Sequence, residues 1–112
     1  MTKPHGLSDP TVARIGGVLA RFPEVERAVL FGSRAKAVHK RGSDIDLALV
    51  GPRLNWRTLG KVDDALDDLF LPHRFSLIIL GGKTDEAVAA HIRRVGLTLF
   101  EREPAPAWAL SR

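Results

Sequence analysis

The chain has no cysteine, which removes disulfides, thiolate catalysis and cysteine-based zinc sites, so any metal must be held by oxygen or histidine. It has no long apolar run either. Its uninterrupted hydrophobic stretches fall far short of the roughly 20 residues that span a bilayer, and no signal-peptide pattern opens the sequence; a cytoplasmic location is the expectation. Internal repeats and low-complexity tracts are missing. At 112 residues the chain accommodates one domain with a genuine core and is too short for two ordinary ones. What remains is the balance of a folding protein, with 45% apolar and 27% charged residues, which argues against disorder.

The net charge of +4 suits an anionic partner such as a nucleotide, a nucleic acid or an acidic protein face. Its carriers form no single block. Arg34, Lys36, His39, Lys40 and Arg41 fall in one loop and Arg93, Arg94 and Arg102 near the end, so a dedicated nucleic-acid stripe is the weaker reading.

Ser8-Asp9-Pro10 reads as a helix start, followed by Val12, Ile15, Leu19 and Phe22 at helical spacing and ended by Pro23. Val25 to Phe31 reads as a buried strand stopped by Gly32, and residues 34 to 43 as a short helical turn and a loop. Asp44 to Val50 is a second strand. Gly51-Pro52 breaks it, Asn55 caps a helix with Leu59, Val62, Leu66, Leu69 and Phe70 as its apolar stripe, and Asp63, Asp64, Asp67 and Asp68 form the opposite, solvated face. After Pro72, Arg74 to Leu80 reads as a third strand ended by Gly81-Gly82. Thr84-Asp85 caps a last helix with Val88, Ile92 and Val95 buried, Gly96 stops it, and Leu97 to Glu101 adds a short edge strand. The expected architecture is a single α/β (α+β) domain over residues 1–112, with a core of about 8–102 and a Pro-rich tail over 103–112. Its small mixed sheet carries helices mainly on one face, leaving the other for a ligand or partner.

Alternation along the second strand sends Asp44 and Asp46 to one face and Ile45, Leu47 and Leu49 to the other. Two residues at roughly 3.3 Å rise each set the carboxylates about 7 Å apart, able to converge on divalent ions about 3.5–4 Å apart, as two-metal phosphoryl transfer requires. Mg2+ is the matching cation. At the end of the first strand, Gly32 lets the backbone approach a phosphate and Ser33 offers a hydroxyl and an N–H, with the dipole of any short helix added. This is a phosphate cradle that lacks a Walker lysine. Each signal alone is common in turns and strand ends; together, ten residues apart at adjacent strand ends, they place phosphate donors beside metal ligands.

On Leu30-Phe31-Gly32-Ser33-Arg34-Ala35-Lys36 and Arg41-Gly42-Ser43-Asp44-Ile45-Asp46-Leu47-Ala48 the chain resembles the DNA polymerase β-like nucleotidyltransferases. Within them it resembles the minimal nucleotidyltransferases (MNT) of HEPN/MNT toxin–antitoxin pairs. Leu71-Pro72-His73-Arg74-Phe75 and His91-Ile92-Arg93-Arg94-Val95-Gly96 extend the match over most of residues 24 to 102. The resemblance implies a nucleotidyltransferase core using Mg2+ and ATP, with Gly32, Ser33 and Arg34 on the phosphates, Asp44 and Asp46 as catalytic metal ligands, and a HEPN-domain protein as partner in a hetero-oligomer. Such an antitoxin acts by transferring AMP to a hydroxyl of the toxin or by binding it.

One residue departs from the pattern. Where the family carries a third carboxylate, in a context like Arg-Phe-Asp-Leu, this chain has Arg74-Phe75-Ser76-Leu77. Serine is neither a strong metal ligand nor a base at neutral pH, and loss of a general base costs about 10²–10⁴ in rate. Asp63, Asp64, Asp67 and Asp68 read as a solvated face and Asp85 and Glu86 as the first turn of a helix, so none replaces it. The histidines His5, His39, His73 and His91 show no metal or nucleophile–base spacing, although His39 lies between cradle and carboxylates. Trp108 falls in the tail. Three readings remain open: an AMP-transferring enzyme, a catalytically impaired module acting by contact, and a nucleic-acid-binding subunit.

Overall fold

The computed structural model describes residues 5–37, 44–81 and 83–102. His39, Lys40, Arg41, Trp108 and the tail lie outside them. The elements run α1 (Asp9–Ala20), β1 (Arg27–Phe31), α2 (Gly32–Ala35), β2 (Ile45–Val50), α3 (Trp56–Asp67), β3 (Phe75–Ile79), α4 (Glu86–Val95) and β4 (Leu97–Glu101).

Local chemistry sets most of these boundaries. Ser8 Oγ accepts the Thr11 N–H, Asn55 Oδ1 accepts those of Arg57 and Thr58, and Asp85 Oδ1 accepts those of Ala87 and Val88, each satisfying amides that a helix leaves unpaired at its start. The first strand begins two residues later than its apolar run, because the Val25 N–H turns back to the Phe22 carbonyl. Pairing of β2 starts when the Ile45 N–H meets the Arg74 carbonyl, which leaves Asp44 just ahead of the strand.

Phe70 is a correction. The apolar stripe of α3 does not include it: the helix ends in tight turns, with Leu69 N–H bonded to the Leu66 carbonyl and Phe70 N–H to that of Asp67. Phe70 takes a left-handed φ of 53° and is 88% exposed.

The sheet order is β3-β2-β1-β4, with β1 antiparallel to both β2 and β4 and β2 parallel to β3. β4 pairs with β1, and Arg102 beyond it clamps the start of the sheet. Its N–H bonds the Glu26 carbonyl and its guanidinium those of Val25, Ala20 and Phe22.

Registers sort the two faces. Leu30, Leu47 and Leu77 share one, with Ile45 and Leu49, under α1 and α3; Ile15, Leu19, Val62 and Leu66 complete that core. The other face carries Val29 and Ala48 under Ile92 of α4, with Val88 and Ile78 alongside. The two long helices thus lie on one face, and α4 covers only part of the second. Asp46 and Ser76 lie on this partly covered face, at its open end.

Candidate functional site

β1 delivers the chain to Gly32, which turns with φ +75°, a left-handed conformation that costs other residues but not glycine. A second constraint coincides there. Any Cβ on Gly32 would run into Asp46 Oδ2, because Phe31 and Asp46 are cross-strand partners and the carboxylate leans over the turn. The backbone of the cradle and the second aspartate are therefore in direct contact.

Gly32 opens α2, a single helical turn preceded by Phe31, whose side chain cannot cap it. The Gly32 N–H instead donates to His91 Nε2 of α4 at 3.0 Å, and the His91 ring meets Phe31 edge-on at a centroid distance of 6.2 Å. Ser33 follows, half-buried. Sequence reasoning passed over His91. The signal was there: Val88, His91, Ile92 and Val95 follow the i, i+3, i+4, i+7 pattern of one helix face, so a histidine stood in a stripe facing the sheet.

Asp44 is exposed and Asp46 half-buried. Burial pushes the Asp46 carboxyl above the ordinary range, the Asp44 charge raises it further, and Arg34 pulls it back. The Asp46 carboxylate, with Asp44 two residues before it, forms a donor set suited to a hard divalent cation, whose oxygen ligands they would be beside phosphates and water. Among the described residues no group of three or more His, Asp and Glu side chains is arranged to hold a metal.

The third position is set by register. Asp46 pairs with Ser76 in the parallel β2–β3 ladder, so the two side chains leave the same face on strands about 4.8 Å apart. Ser76 is exposed. A carboxylate there would stand next to Asp46. No acid from α3 reaches that side: Val62 and Leu66 pack into the core of the opposite face, and Asp64, Asp67 and Asp68 are exposed, as read from the sequence, with Asp63 half-buried. At the start of α4, Asp85 is occupied in capping and Glu86 bonds Arg93 at 3.0 Å.

Arg34 stands differently from a phosphate ligand on a surface loop. It is 2% exposed, with one guanidinium nitrogen donating to the His5 carbonyl at 2.9 Å and another 3.3 Å from His73 Nδ1. Burial works against its charge while Asp46 favours it. The same burial, with Arg34 nearby, pushes His73 below the ordinary imidazole range. Each histidine among the described residues therefore has a contact inside the fold, since His5 Nδ1 also accepts the Leu7 N–H.

A family model described as polymerase beta, nucleotidyltransferase, matches residues 14–105. No curated protein matches the chain. Among solved structures the fold is similar to a chain of a toxin–antitoxin crystallised with AMP-PNP, with a TM-score of 0.67, 20% identity, and coverage of 82% of this chain and 74% of that one. It is similar to a chain of the toxin–antitoxin MntA-HepT, at a TM-score of 0.64 and 18% identity over 85% and 74% of the two chains. It is also similar to one in the complex of tri-AMPylated Shewanella oneidensis HEPN toxin with MNT antitoxin, at 0.65 and 17% over 86% and 74%. These likenesses establish the fold, and the match over residues 14–105 establishes the lineage: the chain belongs to the polymerase beta nucleotidyltransferase family.

Proposed function

We propose that this protein is the antitoxin of a HEPN/MNT-type pair, a cytoplasmic nucleotidyltransferase that takes ATP with Mg2+ and transfers AMP to a hydroxyl of a HEPN-domain partner. The observation that carries the reading is the contact between the Gly32 turn and the Asp46 carboxylate, which joins a phosphate-facing backbone to the metal-ligand pair. The solved relatives support it: one holds AMP-PNP, and another pairs an MNT antitoxin with an AMPylated HEPN toxin.

In this reading Ser33 donates its hydroxyl and N–H to the triphosphate, while Asp44 and Asp46 hold the cation. When bound, Mg2+ neutralises charge on the phosphates and leaving group. The partner's hydroxyl oxygen forms a bond to the α-phosphorus, the α–β bridging P–O bond breaks, pyrophosphate departs, and the hydroxyl proton passes to water. Ser76 offers no carboxylate to take that proton, so turnover is slow relative to nucleotide binding. Label transfer from α-labelled ATP to the partner, lost in Asp46→Ala, is the expected result, and Ser76→Asp should raise the rate. No transfer from wild type or Ser76→Asp would overturn the enzymatic reading.

The exposed serine beside Asp46 favours a second reading, in which the protein neutralises its partner by contact alone. Complex formation that survives Asp44→Ala, with no labelled partner, identifies that case. Salt-independent affinity for nucleic acid would remove the remaining reading, a nucleic-acid-binding subunit.

A further inference from the structure

The first N–H of a helix has no partner in its own helix, and a half-buried amide left unbonded is costly. At α2 the residue that should cap it, Phe31, has an apolar side chain. The acceptor arrives from another element: His91, 59 positions away in sequence, offers Nε2 to the Gly32 N–H. A backbone amide only donates, so this nitrogen carries no proton and the ring holds its hydrogen on Nδ1. The lone pair that an imidazole base would use is therefore already engaged. That removes His91 as a substitute for the missing carboxylate and gives it a different role.

We propose that His91 is a positioning residue for nucleotide binding. By capping α2 from across the face, it fixes the plane of the Phe31–Gly32 peptide. The turn then stays in its left-handed conformation, Asp46 keeps its place against Gly32, and Ser33 is presented to the phosphates. Three observations meet at this ring: the bond to Gly32 N–H, the edge-on contact with Phe31, and its place in the stripe by which α4 packs on the sheet through Val88 and Ile92. Docking of α4 and ordering of the cradle are thereby one event. This inference rests on the reading of Gly32-Ser33 as the phosphate cradle.

The test compares His91→Phe, which keeps a ring against Phe31 but has no acceptor, with His91→Gln, whose side-chain carbonyl can accept the amide. In the free protein, hydrogen exchange at the Gly32 amide should be slow in wild type and His91→Gln and fast in His91→Phe. Affinity for AMP-PNP with Mg2+, measured by calorimetry below each melting temperature, should fall about fivefold to tenfold in His91→Phe and recover in His91→Gln, the scale of one hydrogen bond. A purely structural histidine would lower the melting temperature without this split between Phe and Gln. Unchanged exchange and affinity in His91→Phe overturn the proposal, as does equal weakening in both variants. An Asp46→Ala control separates the two levels: if it binds like wild type, the cradle reading fails; if it loses binding while His91→Phe does not, only the role of His91 fails.

Discussion

Gly32→Ala puts the coupling between backbone and carboxylate under direct test. Holding an alanine at φ +75° costs about 1–2 kcal/mol, the usual penalty for a left-handed residue with a Cβ. The second part comes from the clash with Asp46 Oδ2, which forces the carboxylate to swing off the turn. At about 4 °C of melting temperature per kcal/mol for a domain near this size, the dihedral cost alone should lower the melting point by about 4–8 °C. The two parts separate in a double-mutant cycle. In an Asp46→Ala background the clash is gone, so Gly32→Ala should cost only the dihedral share, and the difference between backgrounds measures the contact. Calorimetric melting gives the stabilities, and titration with AMP-PNP and Mg2+ should show affinity falling more than tenfold in the single variant, because the carboxylate proposed to hold the metal is displaced. A Gly32→Ala protein that melts within about 1 °C of wild type and binds nucleotide normally would refute both the strain and the contact.

Asp46→Asn should stabilise the free protein at neutral pH. The folded carboxyl is raised above its unfolded value by burial and by Asp44. Its contribution is thus present below the unfolded value of about 4 and lost as pH rises through the folded one. The melting-temperature gain should shrink as the pH approaches about 4, and a loss at neutral pH would contradict it. Arg34→Met should destabilise by about 2 kcal/mol, seen in urea unfolding, because it leaves the His5 carbonyl without that donor; Arg34→Lys should rescue little, lacking the guanidinium fork. Gly60→Ala in α3, where an added Cβ meets nothing within 4 Å, should stabilise by about 0.5–1 kcal/mol in the same measurement.

What the sequence disclosed follows from how local each determinant is. Ser8, Asn55 and Asp85 act within three residues of themselves, and their helix starts were readable. The shared face of Asp44 and Asp46 needs only strand alternation. The position of Ser76 beside Asp46 required knowing that β2 and β3 run parallel and in which register, which the family resemblance supplied and the residues alone did not. His91 on Gly32 and Arg34 on His5 and His73 were hidden for another reason. These contacts join residues 59, 29 and 39 apart, and they exist only once α4 and the segment near His5 have docked. Phe70 was misplaced because periodicity carries a stripe past the point where tight turns end the helix.

The position of β4 has a consequence for synthesis. β1 is interior in the finished sheet, yet one of its two neighbours begins 70 residues after it, which at about 5–20 residues per second emerges roughly 4–14 seconds later. Through that interval β1 presents an unpaired edge of Ala28, Val29 and Leu30, the kind of surface that recruits stray strands. The Arg102 clamp, which ties β4 back to the chain between α1 and β1, is made later still. A message broken ahead of residue 97 would therefore yield a protein with both aspartates and the Gly32 turn encoded but without β4 to complete the sheet beside β1, so selection on the site reaches to β4.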